Sequence, residues 1–171
     1  MRIRKLFRFE AAHVVRNCAS RRCRENIHGH SYVVEVFISA NALDRGDMVM
    51  DFALLEPVRA LIDRFDHAYC LWRGEGEEFK EWIYRCNRRV VEMPVSPSAE
   101  GYALLFFVLI DEIVAAIPRL NGDGEARLYS VRVHETATGY AEAFREDARG
   151  VGFSSGDVLF SGAILEEEGT R

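Results

Sequence analysis

Apolar and charged residues alternate from Arg2 to Ala12. Ile3, Phe7 and Phe9 fall on one side with Lys5 interrupting, and Arg4, Leu6 and Arg8 fall on the other, a pattern that predicts a β-strand. Ser31 to Ala40 (SYVVEVFISA) is dense in β-branched and aromatic residues and predicts a second strand, antiparallel to the first. Between them, Cys18 to Asn26 is polar and arginine-rich and reads as a loop. Asp44-Arg45-Gly46-Asp47 predicts a turn, with Met48 to Met50 extending the sheet. The period then changes: Leu54, Leu55, Val58, Leu61, Ile62 and Phe65 recur at helical spacing from Phe52 to about Arg64, with Asp51 as N-cap. Glu77 to Cys86 reads as a shorter helix. Ser96-Pro97-Ser98 opens a strong one over Ala99 to Ile117, capped by Ser98 and ended by Asn121-Gly122-Asp123-Gly124. Ala126 to Glu135 and Tyr140 to Phe144 predict a hairpin turning near Thr138-Gly139.

The order strand, strand, helix, helix, strand, strand suits an α+β unit, an antiparallel sheet with two main helices on one face. Residues 1–150 read as a single domain. Residues 151–171 are a glycine- and serine-rich tail, loosely held, within which Asp157 to Leu165 could add a strand. A chain of 171 residues, 49% hydrophobic and 29% charged, has the composition of an ordinary globular domain. Its net charge of −5 argues against a general nucleic-acid binder. The longest apolar run, Ala103 to Ile110, is too short to span a bilayer, and MRIRKLFRFE lacks the apolar stretch of a signal peptide. The expectation is a cytoplasmic protein with neither membrane nor nucleic acid as partner.

Five histidines include the pair in "CRENIHGHSYVVEVF". On extended backbone His28 and His30 point to the same face, and an antiparallel partner strand could bring His13 alongside. Three imidazoles without a further protein ligand would make an open, catalytic kind of zinc site; the alternative is a polar turn that happens to contain histidine. Asp66-His67 offers a carboxylate that can orient an imidazole as a general base, or simply a cation at a helix C-terminus. Cys23 stands five residues before His28 among Arg16, Arg21, Arg22 and Arg24. Those positive neighbours favour a thiolate, and the arginines either face a phosphate-bearing substrate or form a solvated loop. None of the four cysteines makes a CxxC pair, so a four-cysteine zinc knuckle is excluded, and Cys70 best fits a small buried residue. Glu135, closing its strand, can accept paired hydrogen bonds from an amino-pyrimidinone ring or be an exposed turn acid. His134 should face the other way from Glu135.

"FRFEAAH" (7–13), "C…HGHSYVVEV" (23–36), "MDF" (50–52), "FDHAY" (65–69), "SPSAE" (96–100) and "VHET" (133–136), in this order, resemble the 6-pyruvoyltetrahydropterin and 6-carboxytetrahydropterin synthase family of tunnelling-fold enzymes. The resemblance covers residues 3 to 145. It implies a ββααββ unit with Zn2+ on His13, His28 and His30, and Cys23 as proton-transferring thiol with Asp66 and His67 as its relay. Glu135 would anchor a pterin, with Glu100 as a support or pterin-site residue. It also implies a homo-oligomer, usually a hexameric ring, with active sites between subunits. The implied reaction takes 7,8-dihydroneopterin triphosphate to 6-carboxy-5,6,7,8-tetrahydropterin, with loss of triphosphate and acetaldehyde, feeding queuosine and other deazapurine synthesis. Alternatives are the pyruvoyl product, the hydroxymethyl product, or a non-catalytic pterin-binding ring. Cys23 stands further from the HGH pair than in carboxy-type relatives and nearer than in pyruvoyl types. Glu25 lies where hydroxymethyl-forming relatives use glutamate. The segment 74–91 and the tail fall outside the shared pattern.

Overall fold

The computed structural model describes residues 1–122 and 124–168. At its centre β1 (Arg2–His13) and β2 (His28–Ser39) pair antiparallel, in register from Arg2 opposite Ser39 to His13 opposite His28. On the outer side of β2 follow β5 (Arg127–Thr136) and β6 (Gly139–Phe144), both antiparallel. On the other side of β1 lie β3 (Ala68–Trp72), parallel to β1, and β4 (Val90–Met93), parallel to β3. β7 (Leu159–Phe160) closes the seven-stranded sheet, antiparallel to β4.

The alternation of β1 and β2 decides which face is covered. Phe7, Phe9 and Ala11 from β1 and Tyr32, Val34, Val36 and Ile38 from β2 are buried on one face. That face packs with α2 (Glu56–Asp63) and α4 (Ala99–Ala116) in one core, to which α4 brings Tyr102, Leu105, Phe106 and Ile110. Phe9 stacks on its cross-strand partner Tyr32 at 4.7 Å between ring centroids and meets Tyr102 and Phe106 edge-on. Each such side chain stabilises the fold by about 1.5–3 kcal/mol through burial alone. The opposite face of the β2–β5–β6 region carries a charge lattice: the buried Glu35 pairs with Arg4 and Arg132, and Arg132 with Glu142.

The α+β class and the order β1, β2, α2, α4, β5, β6 hold as read from the sequence, with other elements interposed. Ser98 caps α4 by accepting from the Gly101 N–H, and Asp51 accepts from Ala53 N–H. The helix expected over 52–64 divides into a 3-10 turn (Phe52–Leu55) and α2, because Pro57 sits in the first turn of α2. Met48 to Met50 adds no strand: both sides of β2 are already taken, by β1 and β5. Cys18 to Asn26 is not all loop but contains α1 (Arg21–Glu25). The sheet is mixed rather than purely antiparallel, since β3 and β4 extend it in parallel. Their buried run Ala68–Leu71 lacks the alternation of a half-exposed strand. The inserted helix α3 (Glu77–Cys86) crosses over between them. The strand expected as possible within Asp157 to Leu165 is present as β7. The segment around it is not loosely held, since α6 (Gly162–Glu168) follows and Val158 and Ile164 are buried in the main core. Residues 169–171 lie outside the described part. Among the described residues no helix is long and apolar enough to cross a membrane.

Candidate active site

His13 ends β1 opposite His28, which begins β2, and alternation carries His30 to the same face. The glycine between the two histidines is required by closeness: a Cβ on Gly29 would come within 2.8 Å of the Ala11 carbonyl oxygen. One ring nitrogen from each of His13, His28 and His30 lies within 4.8 Å of the others, a set that could hold a metal ion. The surroundings assign the protons. His13 Nδ1 is 2.6 Å from the Pro97 carbonyl oxygen, and His28 Nδ1 is 3.0 Å from that of Asn26. A carbonyl only accepts, so each Nδ1 carries the hydrogen and each Nε2 presents a lone pair. Those two Nε2 atoms face each other at 3.1 Å. Facing lone pairs repel unless a cation lies against them, so the donor set fits a metal. Burial pushes the His13 imidazole down to about pH 4 against the raising effect of the Pro97 carbonyl, and His28 and His30 push it the same way. A neutral imidazole is the form that ligates.

Glu135, from the end of β5, brings Oε1 to 3.7 Å from His13 Nε2 and 3.9 Å from His30 Nε2. Its carboxylate also lines a cavity of about 330 Å³ together with Cys18, Cys23, Glu100 and Tyr140. The short helix α1 delivers Cys23 to this wall, and the first turn of α4 delivers Glu100. Glu25, in the same helix as Cys23, is not in the wall: it pairs with Arg21 and Arg24. Arg16 is committed elsewhere too, to Glu75 at 2.8 Å and over the ring of Phe79, both in the inserted segment. Cys70 is fully buried, its thiol pushed up to about 12 by burial, as expected of a packing residue.

A model of the 6-pyruvoyl tetrahydropterin synthase family matches residues 2–146. The chain belongs to that family. Proteins named 6-carboxy-5,6,7,8-tetrahydropterin synthase from two Helicobacter pylori strains are 46% and 45% identical over 156 residues, covering 91% of this chain and 78% of theirs. One from Aquifex aeolicus is 31% identical over 157 residues, covering 82% of this chain and 95% of its own. Among solved structures, an uncharacterized protein from Wolinella succinogenes has a TM-score of 0.66 at 22% identity, covering 85% of this chain and 98% of that one. The 6-pyruvoyltetrahydropterin synthase of Plasmodium vivax has a TM-score of 0.59 at the same identity and coverage. At that identity the two structures show the shared fold.

In this synthase-family chain, Asp66 and His67 form a pair away from Cys23. Asp66 Oδ2 is 2.9 Å from His67 Nδ1, and Oδ1 accepts from the Glu10 N–H at 2.8 Å. Burial raises the Asp66 carboxyl. The Glu10 N–H, the hydrogen bond from His67 and the charges of His67 and Arg89 outweigh that and hold it below its ordinary value. His67 takes φ 55°, a left-handed conformation that costs a residue with a Cβ about 1–2 kcal/mol, and its side chain is 75% exposed. It borders a hollow of about 400 Å³ with Glu10, His30, Ser31, Tyr69 and Asn87, and that hollow shares no wall residue with the Cys23 cavity. Glu10 and Ser31 point to the sheet face opposite His13 and His30. One chain therefore does not assemble the thiol and its expected relay. His134 does face away from Glu135, its Nε2 3.4 Å from Glu35 and its ring against Tyr140.

Two contributors were not singled out in the sequence. Tyr32 places its hydroxyl 3.2 Å from His13 Nδ1, and Pro97 supplies the carbonyl. Both fall inside the motifs of the resemblance, but those assign neither a role at the site, since Tyr32 acts by cross-strand position and Pro97 by its backbone.

The low pKa of His13 has a consequence for the metal-free fold. The unfolded chain binds a proton there near pH 6.5 and the folded chain only near 4, so stability is fully present above 6.5 and falls as pH drops between them. The loss should reach about 3 kcal/mol. Urea midpoints of chelator-treated protein at pH 7.5 and 4.5 measure it, and a His13→Asn variant should lack that part of the slope.

Proposed function

We propose that this chain is a 6-carboxy-5,6,7,8-tetrahydropterin synthase. It would take 7,8-dihydroneopterin triphosphate and water to the carboxy-pterin, triphosphate and acetaldehyde, in a route to queuosine and other deazapurines. The observation that carries the reading is one cavity lined by Cys23, Glu100 and Glu135, with the Glu135 carboxylate 3.7 Å from His13 and 3.9 Å from His30 of the histidine cluster. The 46% and 45% identical relatives bearing that name support the choice of product. So does the placement of Cys23 in the wall while Glu25 is occupied with arginines, which disfavours the hydroxymethyl alternative.

Zinc held by His13, His28 and His30 would polarise substrate oxygens and acidify their hydroxyls. Cys23 would then move a proton to or from the side-chain carbons from the cavity wall. Glu135 would accept paired N–H bonds from the amino-pyrimidinone and so set the ring's orientation, with Glu100 supporting the same wall. His67, oriented by Asp66, is the relay base. Since it opens onto the other face of its own sheet, the reading requires a second chain to bring its pair to the cavity. The cavity is placed for this: Gly139 and Tyr140 of β6, the terminal strand of the sheet, form part of its wall. A ring of chains, hexameric in this reading, would complete each site and cover the sheet edges. The chain would act in the cytoplasm.

The test is mass-spectrometric identification of what zinc-loaded protein makes from 7,8-dihydroneopterin triphosphate. The expected product is the carboxy-pterin with acetaldehyde. A pyruvoyl or hydroxymethyl pterin would overturn the product, and substrate retention without turnover would point to a binding ring.

A further inference from the structure

Arg89 lies between α3 and β4, and its side chain is four-fifths buried. Its Nε donates to the Asp66 carbonyl at 3.0 Å, and its Nη2 to the carbonyls of Asp63 at 3.0 Å and Arg64 at 3.3 Å. These are the last carbonyls of α2 and of the turn after it, groups that a helix end leaves without intrahelical partners. One guanidinium therefore closes α2 and holds the peptide unit that leads into His67. From the other side, the Glu10 carbonyl accepts the His67 N–H at 2.6 Å. A left-handed residue persists only where its surroundings over-determine it, and Arg89 and Glu10 are the two clamps.

Arg89 is in turn held by residues beyond the family match, which ends at 146. Its Nη1 pairs with Glu167 of α6. Ser161, between β7 and α6, clasps the residues on either side: its hydroxyl donates to the Arg88 carbonyl at 2.7 Å and accepts from the Val90 N–H at 3.1 Å. Its own N–H donates to the Val90 carbonyl at 3.0 Å. Ile164, buried in the main core, anchors α6 in place.

We infer that Arg89 is a positioning residue for the Asp66–His67 pair, and that the C-terminal segment, through Ser161 and Glu167, braces Arg89 for that task. The inference rests on the reading of Asp66–His67 as the relay of the pterin reaction. The segment is then part of the site's machinery, although it touches no reacting atom. Its contribution is orientation: a small displacement of a base from its line of attack can cost far more rate than binding.

The test uses the full-length, zinc-loaded protein with 15N-labelled histidine. Arg89→Met should shift the His67 ring nitrogen resonances toward a mixture of tautomers and lower kcat roughly 10-fold, with KM and metal content unchanged. Glu167→Gln should move both readouts in the same direction by less. Adding it to Arg89→Met should do nothing more, and Arg89→Lys should recover part of the loss. Should Arg89→Met fail to fold, Glu167→Gln, at a half-exposed carboxylate, and Arg89→Lys carry the test. Unmoved His67 resonances and unchanged kcat in these variants would overturn the inference. If the unmodified protein makes no pterin product yet the His67 resonances respond, the positioning role stands and the pterin reading falls.

Discussion

Replacing Cys23 with alanine is expected to lower turnover of 7,8-dihydroneopterin triphosphate by about 10²–10⁴-fold, the usual worth of a positioned proton-transfer group, with metal content unchanged. The separation of the two readouts follows from the geometry. Cys23 lines the cavity from α1, whereas the metal cluster is built from β1 and β2 and does not include it. Cys86→Ala, on an exposed thiol at the end of α3, should leave turnover intact and serves as the control. Turnover and metal analysis on the same preparations decide the matter. Loss of metal in Cys23→Ala would make the thiol a ligand, and full turnover would remove it from the chemistry.

The second large effect concerns the metal. His28→Ala deletes one of three donors and should lower metal affinity by more than the roughly 10–100-fold typical of losing only a ligand's hydrogen-bond partner. Turnover should fall with it. His28 is the informative choice because its side chain is only partly buried and its Nδ1 partner, the Asn26 carbonyl, is an exposed contact. Truncating the fully buried His13 would confuse metal loss with damage to the core. His134→Ala is the matched control: the same residue type, on the opposite face against Glu35, should keep its metal. Metal content after dialysis against a weak chelator measures both. One equivalent retained in His28→Ala would end the three-histidine assignment.

Both predictions concern residues that the chain announces locally. Alternation in β1 and β2 is a geometric property of extended backbone, so Phe7, Phe9 and Ala11 share a face with His13. His28 and His30 likewise share one with Tyr32 and Val34. The α4 start was equally legible, because Ser98 caps it through its own side chain within one turn. The strands β3 and β4 were not. Both are short and buried, without alternation, so neither offers a local period to detect. β7 falls within the Asp157 to Leu165 stretch read as a possible strand, but it is only two residues long.

By itself, then, the sequence determined that His28 and His30 share one face of a strand and that a cysteine and an acid stand near them in the chain. The pairing of β1 with β2 then brought His13 into their cluster. Only the tertiary structure decided that Cys23, Glu100 and Glu135 share one cavity while His67 opens onto another. It alone showed that the C-terminal segment folds back to hold Arg89. The physical reason is range. Side-chain direction along a strand follows from neighbouring residues, whereas the hydrogen bonds that place Asp66 and Arg89 join residues 56, 23 and 78 positions apart, for which no local pattern exists.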